Sequence, residues 1–214
     1  MEAVFFDMDG LLVDSERLWF EVESEVMERL GGDWSAHDQE QLVGGSMERT
    51  VAYMLARSGN TRIAPEEVAR LLDEGMLSRL HTQVPIMPGA KDLLVSLREE
   101  GVPRGLVTAS QPKIMRAVLD GLDEALFDVT VCAGDVVRNK PHPDPYLTAA
   151  RLLAVDPPRC TALEDSPNGV ASAEAAGMTV VAVPSVVPIA PAPRRRVVSS
   201  LTEVDVAWLK SLHL

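Results

Sequence analysis

Two aspartates separated by a single residue follow a short apolar run near the start of this 214-residue chain. The run Val4 to Phe6 has the character of a buried strand, and Asp7, Asp9 and Gly10 come directly after it. Ligands of open parallel α/β sheets bind outside the carboxyl ends of the strands, so this position suits an active site. An ionised aspartate there can attack phosphorus, while a second, protonated carboxylic acid serves the leaving oxygen and later activates water. The alternative is an Asp-x-Asp-Gly turn that only ends a strand.

Polar residues also follow three later apolar segments: Thr108, Lys140 in the loop 134–143, and the pair Glu164 and Asp165. Carboxylates that meet at one sheet edge repel each other unless they share a cation, and oxygen ligands favour Mg²⁺. The lysine and the threonine hydroxyl suit the oxygens of a phosphoryl group. Each residue alone has an ordinary structural explanation, as a solvated lysine, a strand-end hydroxyl or a helix cap. Their joint occurrence in this order favours a site.

A block without any predicted strand follows the first aspartates. Its apolar residues recur at helical spacing, which predicts one helix capped by Ser15 and ended by Gly31, a second around Val51, and a third from Pro65 to Leu80. The segment through Trp34 is predicted to be a loop. We expect residues 16–83 to form an all-helical domain inserted after the first strand, joined to the rest by two linkers that can act as a hinge.

Helical and strand patterns alternate beyond residue 88, which is typical of βαβ units. The predicted fold class is α/β, with residues 1–15 and 84–214 forming a Rossmann-like, doubly wound parallel sheet core. Strands are predicted at 105–108, 129–133, 161–163 and 179–183, and helices at 90–100, 112–122, 144–153 and 168–176. Residues 184–196, rich in proline and ending in three arginines, are predicted to form a solvated loop.

The composition restricts the partners. A net charge of −12 disfavours nucleic acid and anionic membrane surfaces, and no apolar run approaches the ~20 residues that span a bilayer. The two cysteines, Cys132 and Cys160, lie in apolar runs, and no signal peptide is evident at the N-terminus. We expect a cytoplasmic protein with free thiols, monomeric or weakly dimeric, whose partner is a small phosphorylated metabolite.

Four segments resemble, in chain order, the four motifs of the haloacid dehalogenase superfamily. They are Phe5 to Ser15 (FFDMDGLLVDS), Thr108 to Ser110 (TAS), Lys140 to Asp144 (KPHPD) and Leu163 to Gly169 (LEDSPNG). The resemblance is strongest to the β-phosphoglucomutase-like branch, which includes sugar-phosphate phosphatases, and it covers essentially the whole chain. It implies that residues 16–83 are a helical cap that closes over the substrate phosphate.

The resemblance also implies a role for each motif residue. Asp7 is expected to be the nucleophile and Asp9 the general acid and base. In the dehalogenases of the superfamily the position of Asp9 is not an acid, so its presence favours phosphoryl transfer. Mg²⁺ is expected to be held by the side chains of Asp7, Glu164 and Asp165 and by the carbonyl of Asp9. The expected phosphate-binding residues of the motifs are Thr108, Ala109, Ser110 and Lys140, and Arg49 of the cap is a further candidate from its position in the sequence.

The choice between a phosphatase and a mutase depends on the cap. The mutases of this branch have a histidine five residues after the position of Asp14 and an arginine in the cap loop, where this chain has Trp19 and Met47. Arg49, two positions beyond Met47, either reaches a substrate or is a surface arginine of a helix. Trp19 either lines the pocket or, in the favoured interpretation, packs in the cap core. We expect a Mg²⁺-dependent phosphatase of a sugar or polyol phosphate. A sugar phosphomutase and a non-catalytic protein of the same fold are the alternatives.

Overall fold

The computed structural model describes residues 1–213, with every side chain except that of Glu124. Its centre is a parallel six-stranded sheet in the order β3-β2-β1-β4-β5-β6. The strands are β1 (Val4–Phe6), β2 (Arg104–Val107), β3 (Val129–Val131), β4 (Thr161–Glu164), β5 (Thr179–Ala182) and β6 (Arg195–Val197). The α/β prediction is confirmed.

Helices cover both faces of the sheet and fill the insertion after β1. They are α1 (Glu16–Leu30), α2 (Ala36–Glu40), α3 (Met47–Ser58), α4 (Pro65–Thr82), α5 (Ala90–Glu99), α6 (Pro112–Leu122), α7 (Asp144–Leu153), α8 (Pro167–Ala175) and α9 (Val206–Ser211). No helix in the described part of the chain is both long and apolar enough to cross a membrane.

The central strand β1 has no exposed face. Val4 and Phe6 belong to one apolar cluster and Phe5 to the other, because successive side chains of a strand point to opposite sides of the sheet. Along the chain, β2 and β3 are added on one side of β1, and β4 to β6 on the other. The order therefore reverses between β1 and β4, which is where doubly wound sheets form their ligand crevice.

The two linkers of the helical insertion run side by side. The amide of Asp14 donates to the Pro85 carbonyl at 2.8 Å, and the amide of Met87 donates to the Leu12 carbonyl at 2.9 Å. Val13 and Ile86 form an antiparallel bridge between these bonds. Both linkers thus leave the core at one place, directly above the carboxyl end of β1.

The insertion also contacts the core away from the linkers. Lys113 of α6 forms an ion pair with Asp73 of α4 at 2.7 Å, and the Asn168 amide of α8 donates to the Val43 carbonyl at 3.1 Å. These contacts bring α4 and the 42–45 loop over the sheet edge, and a cavity lies between them and the core.

Two sequence predictions were wrong in this part. The segment around Trp34 contains the short helix α2, and the arginine-rich end of the 184–196 segment is the edge strand β6 instead of a solvated loop. Arg195 forms a bidentate pair with Glu174 at 2.7 and 2.9 Å, so this arginine has a structural role. Cys132 and Cys160 are buried free thiols, as predicted.

Helix α2 is held by a buried carboxylate. Asp38 accepts hydrogen bonds from the amide and hydroxyl of Ser35, from the Tyr53 hydroxyl at 2.7 Å and from the Arg57 guanidinium at 3.1 Å. Burial alone would raise the pKa of Asp38, but these bonds hold it well below its ordinary value of 3.8. The ionised form therefore stabilises the fold above the unfolded pKa, and that contribution is lost as the pH falls through the lower folded pKa.

Replacing Asp38 by alanine is expected to lower the free energy of unfolding by about 2 to 3 kcal/mol at pH 7, since a capping box and two further charged hydrogen bonds are lost. Urea unfolding at pH 7 and below pH 3.8 measures the loss, which is expected to shrink at the lower pH. Asp33→Ala is the control, because Asp33 is 87% exposed at the side chain and only 3.8 Å from the same arginine. Equal losses for Asp38→Ala at both pH values would contradict this role.

Candidate active site

The carboxyl ends of β1 and β4 bring the first and last motifs together. The Asp7 amide donates to the Leu163 carbonyl at 3.0 Å, which sets Asp7 beside the end of β4. The chain then turns away at Gly10, whose φ of +77° favours glycine. A Cβ atom at Gly10 would also lie 2.1 Å from an Asp165 carboxylate oxygen, so the glycine lets that carboxylate approach the turn.

Lys140 links the two strand ends. Its ammonium group donates to Asp7 Oδ1 at 2.5 Å, to Glu164 Oε1 at 2.6 Å and to the Val107 carbonyl at 2.8 Å. Tyr146 donates its hydroxyl to the same Glu164 oxygen at 2.5 Å, and its ring lies 5.1 Å from the ammonium nitrogen. All three hydrogen-bonding capacities of the lysine are used, which fixes the orientation of the Asp7 carboxylate.

Three buried carboxylates form a group whose oxygens fit a metal ion. One oxygen each from Asp7, Glu164 and Asp165 lie within 4.8 Å of one another. Glu164 Oε2 is buried and has no hydrogen-bond partner among the described residues. A Cβ at residue 169, which is a glycine, would lie 1.9 Å from that oxygen, so the absence of a side chain there makes room for it.

The negative charge of these three carboxylates also favours the binding of a cation. Burial raises the pKa of Asp7 and of Asp165, and the neighbouring carboxylates raise it further, while Lys140 acts in the opposite direction at Asp7. A single lysine leaves the three carboxylates with an uncompensated negative charge in a buried place. The all-oxygen donor set fits a hard divalent cation such as Mg²⁺.

The side chain of Asp9 lies apart from the metal group. Its Oδ1 accepts from the Ser15 hydroxyl at 2.8 Å and from the Trp19 indole at 3.3 Å. Its Oδ2 accepts from the hydroxyls of Ser110 at 2.7 Å and Thr108 at 3.3 Å. Only the backbone carbonyl of Asp9 is left for a metal, as the sequence analysis expected, and no described amide donates to it.

Two of these contacts differ from the sequence interpretation. Ser15 occupies the N-cap position of α1, but its hydroxyl makes no capping bond and donates to Asp9 instead. Trp19 packs against the apolar cluster shared by the helical insertion and one face of the sheet, and it also lines the cavity and donates to Asp9. The interpretation of Trp19 as only a core residue was wrong.

Removing the indole donor while keeping the aromatic bulk tests the contact between Trp19 and Asp9. Trp19→Phe is expected to lower kcat/KM, which reports the steps up to formation of the aspartyl-phosphate, about 3- to 10-fold for an alkyl phosphate, the effect of one lost hydrogen bond. The loss in kcat/KM is expected to be smaller for 4-nitrophenyl phosphate, whose leaving group needs no proton in that step. Trp208→Phe, on α9, is the matched control. Equal losses for both esters would indicate a packing defect and contradict a role in positioning Asp9.

Of the other predicted phosphate-binding residues, some line the cavity and others do not. Ala109 and Ser110 line the cavity, and the Ala109 amide has no acceptor within the described residues. Thr108 is buried behind them, where its hydroxyl contacts Asp9 and accepts from the Ser110 amide at 3.0 Å. Arg49 does not line the cavity, and its guanidinium donates to the Gln41 carbonyl at 2.7 Å. The structure does not bring Arg49 to the site.

The side of the cavity that the helical insertion forms contains residues that the sequence analysis did not single out for the site. Its polar residues are Glu16, Glu23, Gln39, Thr50 and Asp73. Glu16 and Glu23 lie on one face of α1 with Trp19, at spacings of three and four residues. A glutamate within the apolar stripe of α1 was the available sequence signal.

Comparison with known proteins agrees with this geometry. A family model described as haloacid dehalogenase-like hydrolase matches residues 4–183, from β1 to just beyond β5. The chain belongs to the haloacid dehalogenase-like hydrolase family. All four motifs of the resemblance lie within the matched range, and the prediction of an enzyme of the phosphomonoesterase type is confirmed.

Relatives of this haloacid dehalogenase-like hydrolase include phosphatases and a mutase. Hexitol phosphatase B of Escherichia coli (strain K12) is 36% identical over 185 residues, covering 86% of this chain and 83% of that protein. β-Phosphoglucomutase of Bacillus subtilis (strain 168) is 33% identical over 193 residues, with the same coverage of 86% and 83%. These relatives support activity of this chain as a phosphatase or a phosphomutase on sugar phosphates.

Solved structures agree with the fold. CbbY from Rhodobacter sphaeroides in complex with phosphate superimposes with a TM-score of 0.87 at 26% identity, covering 98% of this chain and 99% of that one. β-Phosphoglucomutase from Clostridium difficile gives a TM-score of 0.85 at 25% identity, covering 100% of this chain and 97% of that one. These matches include the helical insertion as well as the sheet.

Proposed function

We propose that this hydrolase is a Mg²⁺-dependent phosphatase that removes phosphate from a small sugar or polyol phosphate through an aspartyl-phosphate on Asp7. The observation that carries the proposal is the arrangement of Lys140 against Asp7 and Glu164, beside a third buried carboxylate and below a cavity. A 36% identical relative is a hexitol phosphatase. We further propose that residues 16–83 act as the cap that closes this cavity.

The substrate phosphate would bind where Asp7, Lys140 and the Ala109–Ser110 segment face the cavity. Lys140 holds Asp7 Oδ1 and so orients the carboxylate, whose other oxygen attacks phosphorus in line. Bound Mg²⁺, held by Asp7, Glu164, Asp165 and the Asp9 carbonyl, would supply positive charge next to the transferring phosphoryl group. The Ala109 amide would donate to a phosphoryl oxygen.

Proton transfer is assigned to Asp9. As the ester bond breaks, its electron pair goes to the leaving oxygen, which takes the proton of the Asp9 carboxyl group. The resulting carboxylate then takes a proton from water as the water oxygen attacks the aspartyl-phosphate, and the phosphorus bond to Asp7 breaks to give inorganic phosphate. The hydroxyls of Ser110 and Thr108 can donate to the ionised Asp9 or rotate to accept from the protonated one.

A sugar phosphomutase is the second candidate, and the 33% identical β-phosphoglucomutase supports it. Trp19 and Met47 replace the histidine and the arginine expected of a mutase cap, which favours the phosphatase. A non-catalytic protein of this fold is disfavoured because each catalytic position is filled.

The test is release of inorganic phosphate from 4-nitrophenyl phosphate and from a panel of sugar and polyol phosphates, with Mg²⁺ and with EDTA. We expect release with Mg²⁺ and at least about a 100-fold lower rate in EDTA. Isomerisation of a hexose 1-phosphate without net phosphate release would favour the mutase. Release that is unaffected by EDTA, or no release from any ester, would contradict the proposal.

A further inference from the structure

The wall of the cavity that faces the catalytic residues is acidic. Glu23 of α1 and Asp73 of α4 line it and are 6% and 7% exposed, and the half-buried Glu16 lies between Glu23 and the core. Buried carboxylates are costly unless they gain hydrogen bonds or a counter-charge. Two of them on one wall, with a third carboxylate half-buried beside them, therefore need an explanation beyond the folding of the cap.

The hydrogen-bonding capacity of these carboxylates is only partly used. Asp73 Oδ2 pairs with Lys113 at 2.7 Å, but its Oδ1 is buried and has no partner within the described residues. Glu23 Oε2 accepts from the Trp34 indole at 3.1 Å, and no described group donates to Oε1. Both residues thus offer an acceptor at a cavity wall.

Positive charge is confined to the opposite side of the cavity. Among the described residues that line it, Lys140 is the only lysine or arginine, and Lys140 is fully used by Asp7, Glu164 and a backbone carbonyl. Arg49, the arginine that sequence reasoning assigned to the cap side, lies outside the cavity. Within the described lining, the cap wall therefore offers no lysine or arginine to a second anionic group.

We propose that Glu23 and Asp73 determine specificity by accepting hydrogen bonds from the hydroxyls of an uncharged, polyhydroxylated leaving group, and that they exclude esters with a second phosphate at the far end. This inference rests on the proposed phosphatase function. Thr50, which lines the same wall, adds a hydroxyl that can donate or accept.

The electrostatics of the wall support hydroxyls as its partners. Burial and neighbouring carboxylates raise the pKa of Glu16 to about 7 and that of Glu23 to about 8. Near neutral pH both are partly protonated, so they can donate to hydroxyl oxygens as well as accept from hydroxyl groups. A phosphate dianion at the same place would face the remaining negative charge, and Lys113, the cation next to Asp73, is already paired with that carboxylate.

The acidic wall also bears on the mutase alternative. Transfer of a phosphoryl group from an enzyme to a free hydroxyl of a sugar monophosphate gives a bisphosphate, which the cavity must hold with one phosphate at each end. A wall that repels the second phosphate disfavours that reaction and favours simple hydrolysis.

Four esters of equal chain length test the inference on the unmodified enzyme with Mg²⁺. They are glucitol 6-phosphate, glucitol 1,6-bisphosphate, hexane-1,6-diol monophosphate and 6-aminohexyl phosphate. We expect kcat/KM for glucitol 6-phosphate to exceed that of the hydroxyl-poor diol ester at least about 30-fold and that of the bisphosphate at least about 100-fold. A bisphosphate hydrolysed as well as the monophosphate would overturn the exclusion, and a preference for the aminohexyl ester over the glucitol ester would overturn the assignment to hydroxyls.

Two variants on different helices assign the effect to the residues. Glu23→Gln and Asp73→Asn are each expected to reduce the preference for glucitol 6-phosphate over the diol ester about 10-fold. Together they are expected to narrow the discrimination against the bisphosphate about 10-fold or more. Glu28→Gln, an exposed change of the same type on α1, is the control and is expected to leave both ratios unchanged. Unchanged ratios in both Glu23→Gln and Asp73→Asn would overturn the assignment.

The substrate ratios separate the two proposals. If no ester is hydrolysed with Mg²⁺, the proposed function fails. If all four esters are hydrolysed at similar kcat/KM, the phosphatase stands and the role of the acidic wall is rejected.

Discussion

Replacing Asp7 by asparagine is expected to abolish turnover, with kcat at least about 10⁴-fold lower for every ester, because the amide cannot attack phosphorus. The fold should persist, since asparagine keeps the shape of the side chain and one oxygen for Lys140. Removal of one charge from a crowded acidic group also relieves repulsion when no metal is bound. The two measurements are phosphate release in the presence of Mg²⁺ and thermal unfolding in the presence of EDTA.

Asp14→Asn is the matched control for this variant. Asp14 lies on the same segment, is exposed, and belongs neither to the acidic group nor to the cavity wall. We expect it to retain activity within about twofold, as for a surface substitution. An Asp7→Asn enzyme that is well folded and still releases phosphate in a metal-dependent manner would refute the assignment of the nucleophile.

The second large effect is expected at Asp9. Asp9→Asn removes the group that protonates the leaving oxygen and activates water, so kcat for an alkyl phosphate should fall about 10²- to 10⁴-fold with little change in KM. Asparagine can still accept from Ser15 and Trp19 through its oxygen, so the local packing is preserved. Steady-state kinetics with a polyol phosphate measure the changes in kcat and in KM separately.

The same variant separates the two chemical steps. The leaving group of 4-nitrophenyl phosphate needs no proton, so the first step should proceed while hydrolysis of the aspartyl-phosphate is slow. A burst of about one equivalent of nitrophenolate is expected in a rapid-mixing experiment. An unchanged turnover number in Asp9→Asn, with either type of ester, would count against its acid and base role.

The sequence predicted the fold and the centre of the candidate site because both depend on simple patterns. Buried strands followed by Asp7, Lys140, Glu164 and Asp165 place those side chains at one sheet edge whatever the details of packing. The structure brings these four residues together as expected. Their roles in catalysis and metal binding stay predictions until the variants are measured.

Local sequence patterns could not predict the side-chain contacts of Asp9. Ser15 has the residue type and position of a helix cap, and Trp19 has the spacing of a core residue, so both have a sufficient local explanation. Their contacts with Asp9 depend on how α1 leaves the sheet edge after the tight turn at Gly10. The orientation of α1 depends on tertiary packing, which residue types and spacing in one segment do not specify.

The acidic wall was missed for a related reason. Glu23 lies among the buried positions of α1, where a glutamate is unusual, but Asp73 comes from α4, fifty residues further along the chain. Only packing of α4 against α1 and α6 brings the two acids to one cavity. The short helix α2 and the edge strand β6 were missed because three to five residues carry too little periodicity to recognise.

Direct trapping of the phosphorylated enzyme tests the central claim most closely. Asp9→Asn enzyme with Mg²⁺ would be mixed with ³²P-labelled 4-nitrophenyl phosphate, quenched in acid and digested for peptide mapping. The account predicts close to one label per chain, on the peptide that contains Asp7, released by hydroxylamine as expected of an acyl phosphate. Label on another residue, or no covalent label while nitrophenolate is released, would contradict it.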